Sequence, residues 1–356
     1  LFASSGIMIA GAQGGLFSRA ECEERWSVHH PMPFISHASD GNDLYIGSYY
    51  DGIFKFSLEN PDDPPVSVGT FTADGLLHTG DLLVAGNDGY GIFKSMNGGV
   101  TWDFANTGLP LDSIFNPWTG DWEYLTHVYC LATSGQHVFC GTGDGVFRTS
   151  MDVQSWEAVN IGIPALEISA LFAAGESLYA VIDNMLFKST DEGANWTQIY
   201  ASESDISCVV TMNDTSYIST KGDGILYSAD ETVWSTLNNG LPTLNVNQVV
   251  PFNGQLYCGT EGEGVFIHDD GQWVEDNPGL IISDTWSLTV CNGQVFANDY
   301  SGVYRLETNG QWTDITPAVD YELFAMVITM DDRVFLSVEY DAPYDAPFIL
   351  YTDDSG

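Results

Sequence analysis

One pattern returns along the whole chain and limits the fold more strongly than any other feature of the sequence. Each copy reads as an apolar strand, a turn, a second strand, a short segment of the type Gly-apolar-aromatic-basic, and then a Trp. The short segment begins at Gly15, Gly52, Gly91, Gly145, Met185, Gly224, Gly264, Gly302 and Phe348. These nine copies start 37 to 54 residues apart, and most intervals are close to 40 residues. Self-similarity at such a period indicates a chain that repeats one small structural unit.

Each repeat carries strand signals and lacks helical periodicity. Tight turns of the kind that join antiparallel strands occur at Ser134-Gly135, Asn253-Gly254 and Asn292-Gly293, where Gly supplies the positive φ that the turn needs. A unit of about 40 residues with four short strands has the size of one propeller blade. The sequence therefore predicts an all-β fold, a β-propeller of four-stranded blades.

The same repeat sets the expected domain organisation. Nine copies predict nine blades, with eight or ten as alternatives, in a single domain spanning residues 1–356. The one interval of 54 residues places an insertion at 112–124. The last copy stops before its fourth strand, so we expect an incomplete terminal blade. Leu1 opens directly into strand-like sequence without a basic segment before it, so we expect a processed product or a fragment.

The turn between the third and fourth strands carries a resemblance to a known family. Two copies are well formed, one with Ser95, Asn97, Gly99 and Trp102 and one with Ser189, Asp191, Gly193 and Trp196. Degenerate copies end at Trp26, Trp156, Trp234, Trp273 and Trp312. The pattern resembles the Asp-box, or bacterial neuraminidase repeat, in which Ser and Asp side chains bond the amides of their own turn and Trp anchors the turn on the sheet. The resemblance implies a propeller of the class found in sialidases, xyloglucanases, sortilin-like receptors, photosystem assembly factors and secreted bacterial proteins.

Charge excludes two classes of partner. The chain has 49 acidic and 9 basic residues, for a net charge of -40. Such a surface repels nucleic acid and anionic membranes, and no apolar run reaches the roughly 18 residues of a membrane span. Charged residues make up only 16% of the chain, so neutral polar residues cover much of the surface. We therefore expect an extracellular protein, either secreted or attached to the cell surface.

The positions of the basic residues exclude a sialidase. Five of them occupy the same column of the third strand: Lys55, Lys94, Arg148, Lys188 and Arg305. A repeated column predicts a structural role. The three converging arginines that a sialidase uses to bind its substrate carboxylate cannot be supplied from the substrate face, and the basic patch of the photosystem assembly factors is absent.

Aromatic residues outside the repeat give the candidate site. Three Trp fall in connections between a fourth strand and the next first strand: Trp118, Trp122 and Trp286. The insertion adds Phe115, Asp121 and Tyr124, and the connections expected on the same face add Tyr49, Tyr50, Tyr340, Asp341 and Tyr344. Aromatic rings beside carboxylates suit a sugar ring or a protein partner. The alternative is that the insertion fills the central channel or packs on a neighbouring blade.

Three functions remain open at this stage. The first is a non-catalytic binding or assembly module that recognises a glycan or a protein, with no catalytic residues. The second is a glycoside hydrolase or lyase, which would need a pair of carboxylates about 5 to 10 Å apart. The third is a structural subunit of an extracellular assembly.

Metal and disulfide chemistry are weakly indicated. The sequence has no Cys-x-x-Cys pair, so we expect no metal site or cofactor. The many carboxylates leave Ca²⁺ binding open, although no calcium-loop pattern occurs. Cys130 and Cys140 flank the Ser134-Gly135 turn symmetrically, and both a disulfide and two buried free thiols are consistent with that spacing.

Overall fold

The structure, a computed structural model, is built from β-strands. It describes residues 2–4, 7–9, 16–20, 27–30, 34–40, 42–48, 52–57, 65–110, 112–115, 122–164, 167–174, 176–280, 285, 287–291, 294–299, 302–315, 324–330, 333–339 and 350–351. Within these residues there are 36 strands and no helix. The predicted all-β class is confirmed.

The strands follow the chain in three groups. Residues 1–33 contain β1 (Phe2–Ser4), β2 (Ile7–Ile9), β3 (Leu16–Ala20) and β4 (Ser27–His30). The next group is β5 (Phe34–Ser39), β6 (Asp43–Ser48), β7 (Gly52–Ser57), β8 (Val66–Gly69), β9 (Gly75–Thr79), β10 (Leu82–Gly89), β11 (Gly91–Ser95), β12 (Asp103–Phe104), β13 (Asp112–Phe115), β14 (Trp122–Ser134), β15 (His137–Thr142), β16 (Gly145–Ser150), β17 (Glu157–Ala158), β18 (Ala170–Ala174), β19 (Ser177–Ile182), β20 (Met185–Ser189) and β21 (Thr197–Ala201). The last group is β22 (Ile206–Met212), β23 (Thr215–Thr220), β24 (Ile225–Ser228), β25 (Ser235–Thr236), β26 (Val246–Phe252), β27 (Gln255–Thr260), β28 (Gly264–Asp269), β29 (Gln272–Glu275), β30 (Ser287–Cys291), β31 (Gln294–Asp299), β32 (Gly302–Leu306), β33 (Trp312–Asp314), β34 (Phe324–Met330), β35 (Arg333–Glu339) and β36 (Leu350–Tyr351).

Seven repeats each contribute four antiparallel strands that follow one another in sequence. Five of them form separate four-stranded sheets, and the other two are joined through β10 and β14, with β13 added, in one nine-stranded sheet. We name each sheet by its residues: 34–69, 75–104, 122–158, 170–201, 206–236, 246–275 and 287–314. The chain separates into two compact units, residues 34–199 and residues 1–33 with 200–356. The single domain predicted for residues 1–356 stays a prediction.

The first and last repeats share one sheet. Its strand order is β34-β35-β36-β3-β4, and β3 pairs with both β35 and β36. Strands from the two ends of the chain therefore meet in this sheet. The count of nine separate blades is not confirmed, because β3 and β4 of the first copy lie in the sheet of the ninth copy, whereas β1 and β2 form a two-stranded sheet of their own.

The core lies between sheets that follow one another in the chain. Leu82 and Val84 of the 75–104 sheet share one cluster with Val138 and Cys140 of the 122–158 sheet. Equivalent positions in the second strands of seven sheets are apolar or carry sulfur, and all are buried: Ile46, Ala85, Cys140, Ala180, Ile218, Cys258 and Ala297. In five sheets the second strand has five consecutive buried residues, so both of its faces are covered. This leaves the connections between strands as the places for function.

Candidate functional site

The insertion between two repeats forms a β-hairpin. β13 pairs antiparallel with the first four residues of β14, with Asp112 opposite Leu125 and Phe115 opposite Trp122. β14 then continues to Ser134 as the first strand of the 122–158 sheet. We call the paired segments 112–115 and 122–125 the hairpin arm. Because the arm shares a strand with a packed sheet, the sheet fixes the direction in which the arm leaves it.

The foot of the hairpin arm is tied to the preceding sheet. The end of β10 pairs with β14, so that Asp88 lies opposite His127 and Gly89 opposite Thr126. The Thr126 hydroxyl donates a hydrogen bond to the carbonyl oxygen of Pro110. These bonds join the 75–104 and 122–158 sheets at the point where the arm begins.

Tyr90 lies beside the foot of the arm and is 60% exposed. Its backbone forms a bridge with Thr126, its N–H donates to Asn87 Oδ1 at 2.9 Å, and its carbonyl accepts from Asn106 Nδ2 at 2.7 Å. The corresponding residues before the third-strand Gly elsewhere are polar or acidic: Asp144, Asp223 and Glu263. An aromatic ring here is therefore not required by the repeat, and that departure is the sequence signal that marks Tyr90.

The structure places three of the predicted site residues on the hairpin arm, at Phe115, Trp122 and Tyr124. For these three it establishes backbone pairing, with Tyr124 opposite Ser113. The other predicted site residues lie outside the described part of the chain: Tyr49, Tyr50, Trp118, Asp121, Trp286, Tyr340, Asp341 and Tyr344. Their grouping on one face stays a prediction.

The basic column of the third strand makes structural contacts. Lys94 Nζ donates to the carbonyl oxygens of Asp152 and Val153, at 2.7 and 2.9 Å, in the turn of the next sheet. Arg148 donates to the Glu192 carbonyl oxygen at 2.8 Å in the same way. Further partners in the column are Asp43 for Lys55, Glu157 for Arg148, the Tyr179 ring for Lys188 and Glu307 for Arg305. The predicted structural role is confirmed at these positions.

The two well-formed turns are held by their own side chains. Ser95 Oγ accepts the N–H of Gly99 at 2.9 Å, and Asn97 Oδ1 accepts the N–H of Thr101 at 2.9 Å. The second turn repeats both bonds at 2.9 Å, from Gly193 to Ser189 and from Asn195 to Asp191. Hydrogen bonds from the side chain and backbone of Asn195 hold the pKa of Asp191 below its usual value.

In five repeats the Trp that ends the turn anchors it to the preceding sheet. Its indole Nε1 donates to a backbone carbonyl oxygen at 2.5 to 2.7 Å. The pairs are Trp102 with Val68, Trp156 with Ala105, Trp196 with Val159, Trp273 with Leu237 and Trp312 with Asp276. These turns are therefore connections between sheets and not part of the candidate site.

Sequence reasoning missed an asparagine that recurs in four repeats. Its Oδ1 accepts an N–H at the start of the third strand, and its Nδ2 donates to a carbonyl oxygen in the preceding connection, at 2.6 to 3.3 Å. The four residues are Asn106, Asn160, Asn238 and Asn277. The signal was available, because each stands two residues before the Gly that ends its repeat.

Two carboxylates line one cleft in the compact unit formed by residues 1–33 and 200–356. The cleft, of about 290 Å³, is lined by Gly240, Pro242, Glu263, Phe266 and Glu275. Asn277 Nδ2 donates to Glu275 Oε1 at 3.1 Å, which helps to orient that carboxylate.

Cys130 and Cys140 are free thiols in the structure. Cys140 lies opposite Leu131, whereas Cys130 lies opposite Gly141 and its Sγ donates to the Ile168 carbonyl oxygen at 3.5 Å. The disulfide considered from the sequence is therefore not formed, because the turn does not place the two cysteines opposite each other. Burial raises the pKa of Cys130 to about 12 and that of Cys140 well above its usual value.

Neither a metal centre nor a spanning helix was found in the part of the chain that the structure describes. No group of three or more His, Cys, Asp or Glu side chains there could hold a metal ion. No helix in the same part is long and apolar enough to cross a membrane.

Comparison with known families supports the fold. The model of the DUF6242 beta propeller domain matches residues 123–254. No curated protein matches the chain.

Several solved structures resemble the chain at low sequence identity. Sqt1 from Saccharomyces cerevisiae has a TM-score of 0.59 and 11% identity, with 91% of this chain and 100% of that one covered. YCF48 bound to D1 peptide has a TM-score of 0.54 and 11% identity, with 90% of this chain and 99% of that one covered. BamB from Moraxella catarrhalis has a TM-score of 0.52 and 12% identity, with 95% of this chain and 96% of that one covered. The chain therefore adopts a β-propeller fold, as its repeat predicted.

Proposed function

We propose that this β-propeller is a non-catalytic binding or assembly module of the Asp-box class that recognises a protein partner through the hairpin arm. The observation that carries the proposal is the arm itself, an extension of β14 whose foot is bonded to the preceding sheet beside the exposed Tyr90. An arm held in one direction by two sheets loses little conformational entropy when a partner binds. The Ser, Asn, Asp and Trp contacts of the two well-formed turns support the Asp-box assignment.

Charge favours a basic partner. The chain carries a net charge of -40, and five of its nine basic residues occupy a column that contacts the protein's own turns, carboxylates or rings. Little positive charge is left to bind an anionic partner. A protein or peptide with a positive surface would be attracted over several ångströms, and the solved YCF48 structure supports the idea that a propeller of this kind takes a peptide.

The test combines partner capture with substitutions that the repeat tolerates. A photo-crosslinking residue placed at Trp118 captures the partner, and the same residue at Tyr227, which is 37% exposed in another sheet, is the control. Affinity for the captured partner is then measured with Trp118→Ala, Trp122→Ala and Tyr90→Asp combined. We expect at least about a tenfold loss with an unchanged melting temperature. Unchanged affinity would remove the hairpin arm from the site.

Glycan recognition is examined on the same variants. Neutral polysaccharides replace the protein partner in affinity electrophoresis, with and without Ca²⁺. Retardation that depends on the three substituted residues would change the partner class from protein to glycan.

A glycoside hydrolase is the second candidate, favoured by the cleft that holds Glu263 and Glu275. Two carboxylates are the groups that such a reaction needs. Release of reducing ends from a polysaccharide, abolished in both Glu263→Gln and Glu275→Gln, would establish it. If both variants still released reducing ends, this pair of carboxylates would be excluded as the catalytic groups.

We also propose that the protein works outside the cell. The low share of charged residues, 16%, supports a surface of neutral polar groups. Cell fractionation with an antibody against the chain tests the proposal, and recovery with cytosolic markers would contradict it.

A further inference from the structure

A cluster of exposed apolar side chains lies on the outer edge of the 34–69 and 75–104 sheets, within one compact unit. Val66 is 61% exposed, Val100 77% and Phe104 69%. Val66 belongs to β8 and Phe104 to β12, and each strand is the last of its sheet. We call these three residues the edge patch.

The three side chains surround one seam between the two sheets. Trp102 Nε1 donates to the Val68 carbonyl oxygen at 2.6 Å, and a Cβ built on Gly99 would lie 2.8 Å from the Cβ of Val68. Val66 stands two residues before Val68 in β8, next to the bulge that β8 makes in its pairing with β7. Val100 follows Gly99 directly, and Phe104 stands two residues after Trp102. The three residues of the edge patch therefore flank the same seam between the two sheets.

Other repeats show that the fold does not require these apolar groups. Pairing with the third strand puts Thr236, Glu275 and Asp314 in the position of Phe104. It puts Asp103, Glu157, Ser235 and Thr313 in the position of Val66, and in one further sheet the exposed Val274. In the equivalent turn, Ala194 stands in place of Val100. The exposed ring of Phe104 stands at a position that is polar or small in five other sheets, and together with the two exposed valines it indicates a binding surface.

The ring of Phe104 is also fixed before any partner arrives. It lies 4.6 Å from the ring of Phe93, which stacks on Phe71 at 3.9 Å. Phe71 in turn meets Trp102 edge-on at 5.3 Å. A ring held by such a ladder buries apolar area on binding without losing much side-chain freedom.

We propose that the edge patch binds an extended segment of a basic protein, in which apolar side chains alternate with lysine or arginine. β8 and β12 have no further strand beyond them among the described residues, so their outer backbone groups can bond an added strand. The nearest basic side chains are already engaged, Lys55 with Asp43 and Lys94 with the Asp152 carbonyl oxygen. Asp103, between Trp102 and Phe104, is exposed.

Charge also argues against a second copy of this chain as the occupant. Two molecules that each carry a net charge of -40 repel one another. A basic segment, in contrast, is attracted by the acidic surface of the chain. This inference concerns a different surface from the hairpin arm and does not depend on the proposed function.

The test uses two synthetic probes and variants that copy residues from the other repeats. An acetylated peptide in which lysine alternates with valine is titrated by fluorescence anisotropy, beside a glutamate–valine peptide, at about 0.15 M salt. Val66→Thr with Phe104→Thr takes residues that the other repeats carry at these positions. Val233→Thr with Ile161→Thr is the control, because these side chains are 70% and 69% exposed elsewhere.

We expect the lysine–valine peptide to bind the native chain and the control variant equally, and the edge-patch variant at least about tenfold more weakly. Hydrogen exchange should slow at residues 66–69 and 100–104 when this peptide is bound. Equal affinity in all three proteins would reduce the binding to unspecific charge attraction and overturn the proposal. Self-association seen by light scattering, and lost in the edge-patch variant, would also overturn it by making a second copy the occupant.

Discussion

Asp276 lies in an environment that disfavours the charged form of its carboxyl group. Its carbonyl oxygen accepts the Trp312 indole bond, the place taken by Val68, Ala105, Val159 and Leu237 at the other seams. Four apolar residues and one aspartate therefore occupy the same position between sheets. Burial raises the pKa of the Asp276 carboxyl. Ionisation thus favours the unfolded chain, in which the carboxyl has its ordinary pKa.

Replacing Asp276 should stabilise the protein at neutral pH. We expect Asp276→Val to raise the free energy of unfolding by about 1 kcal/mol, a modest value because the carboxylate is partly exposed and screened. Asp276→Asn keeps the shape and removes the charge, so it separates the electrostatic part from the packing part. The native chain gains stability as pH falls through the raised pKa, so its difference from Asp276→Asn should shrink between pH 7 and about pH 4. Denaturant unfolding at several pH values measures this, and a difference that grows on acidification would contradict it.

Seams between sheets are the elements that set the spacing of the repeat. Four of the seams combine a Trp turn from one sheet with a Gly from the segment that ends the sheet before it, namely Gly108, Gly162, Gly240 and Gly279. Gly162 has a φ of 100°, and a Cβ built on it would overlap the carbonyl oxygen of Trp196. The Trp196 N–H donates to the Ile161 carbonyl oxygen at 2.8 Å. A side chain at residue 162 would therefore have to break the seam or strain the backbone.

Gly162→Ala should lower the free energy of unfolding by roughly 2–4 kcal/mol, since both the positive φ and the overlap act against it. Gly143→Ala is the matched control, because a Cβ there would meet nothing within 4 Å. Urea unfolding of both variants gives the comparison. Equal urea midpoints for the two variants would contradict this prediction, because the seam would then accommodate the added methyl group without losing stability.

Sequence predicted the elements of the seams better than those of the candidate site. Ser95 and Asn97 stand where the turn needs acceptors for its own amides, so a local pattern was enough. The hairpin arm was seen only as an insertion, because Asn-Pro-Trp-Thr-Gly reads as a loop and the pairing of Phe115 with Trp122 depends on β14 being held by its sheet. Asn160 was overlooked for a similar reason: its bond to the Val146 N–H at 2.7 Å joins residues that lie far apart in the repeat pattern.

At the scale of the whole molecule, counting repeats could not decide how the ends of the chain are used. The copies that begin at Gly15 and Phe348 can each be recognised as a repeat in the sequence. Their strands β3 and β36 nevertheless pair in parallel within one sheet. Pairing between segments more than 300 residues apart in the sequence leaves no local trace. Net charge, in contrast, is a property of the whole molecule that the sequence gives directly, and it has consequences for stability.

A net charge of -40 should make stability depend on ionic strength. Repulsion among the carboxylates opposes the compact state, and the Debye length shortens from about 30 Å at 0.01 M salt to about 10 Å at 0.1 M. We expect the melting temperature to rise by several degrees over this range of sodium chloride, as measured by calorimetry. Calcium chloride at matched ionic strength, with and without chelator, is the control for a specific cation site.

An equal rise in the two salts means screening alone, whereas an extra rise that chelator removes would place Ca²⁺ on the protein. A melting temperature that stays flat or falls with sodium chloride would contradict the electrostatic argument. Binding of a basic peptide should respond in the opposite direction, because the same ions weaken its attraction to the acidic surface. Salt therefore separates folding from recognition: a variant that loses partner binding at every ionic strength has lost contacts, and one that loses it only at high salt has lost charge.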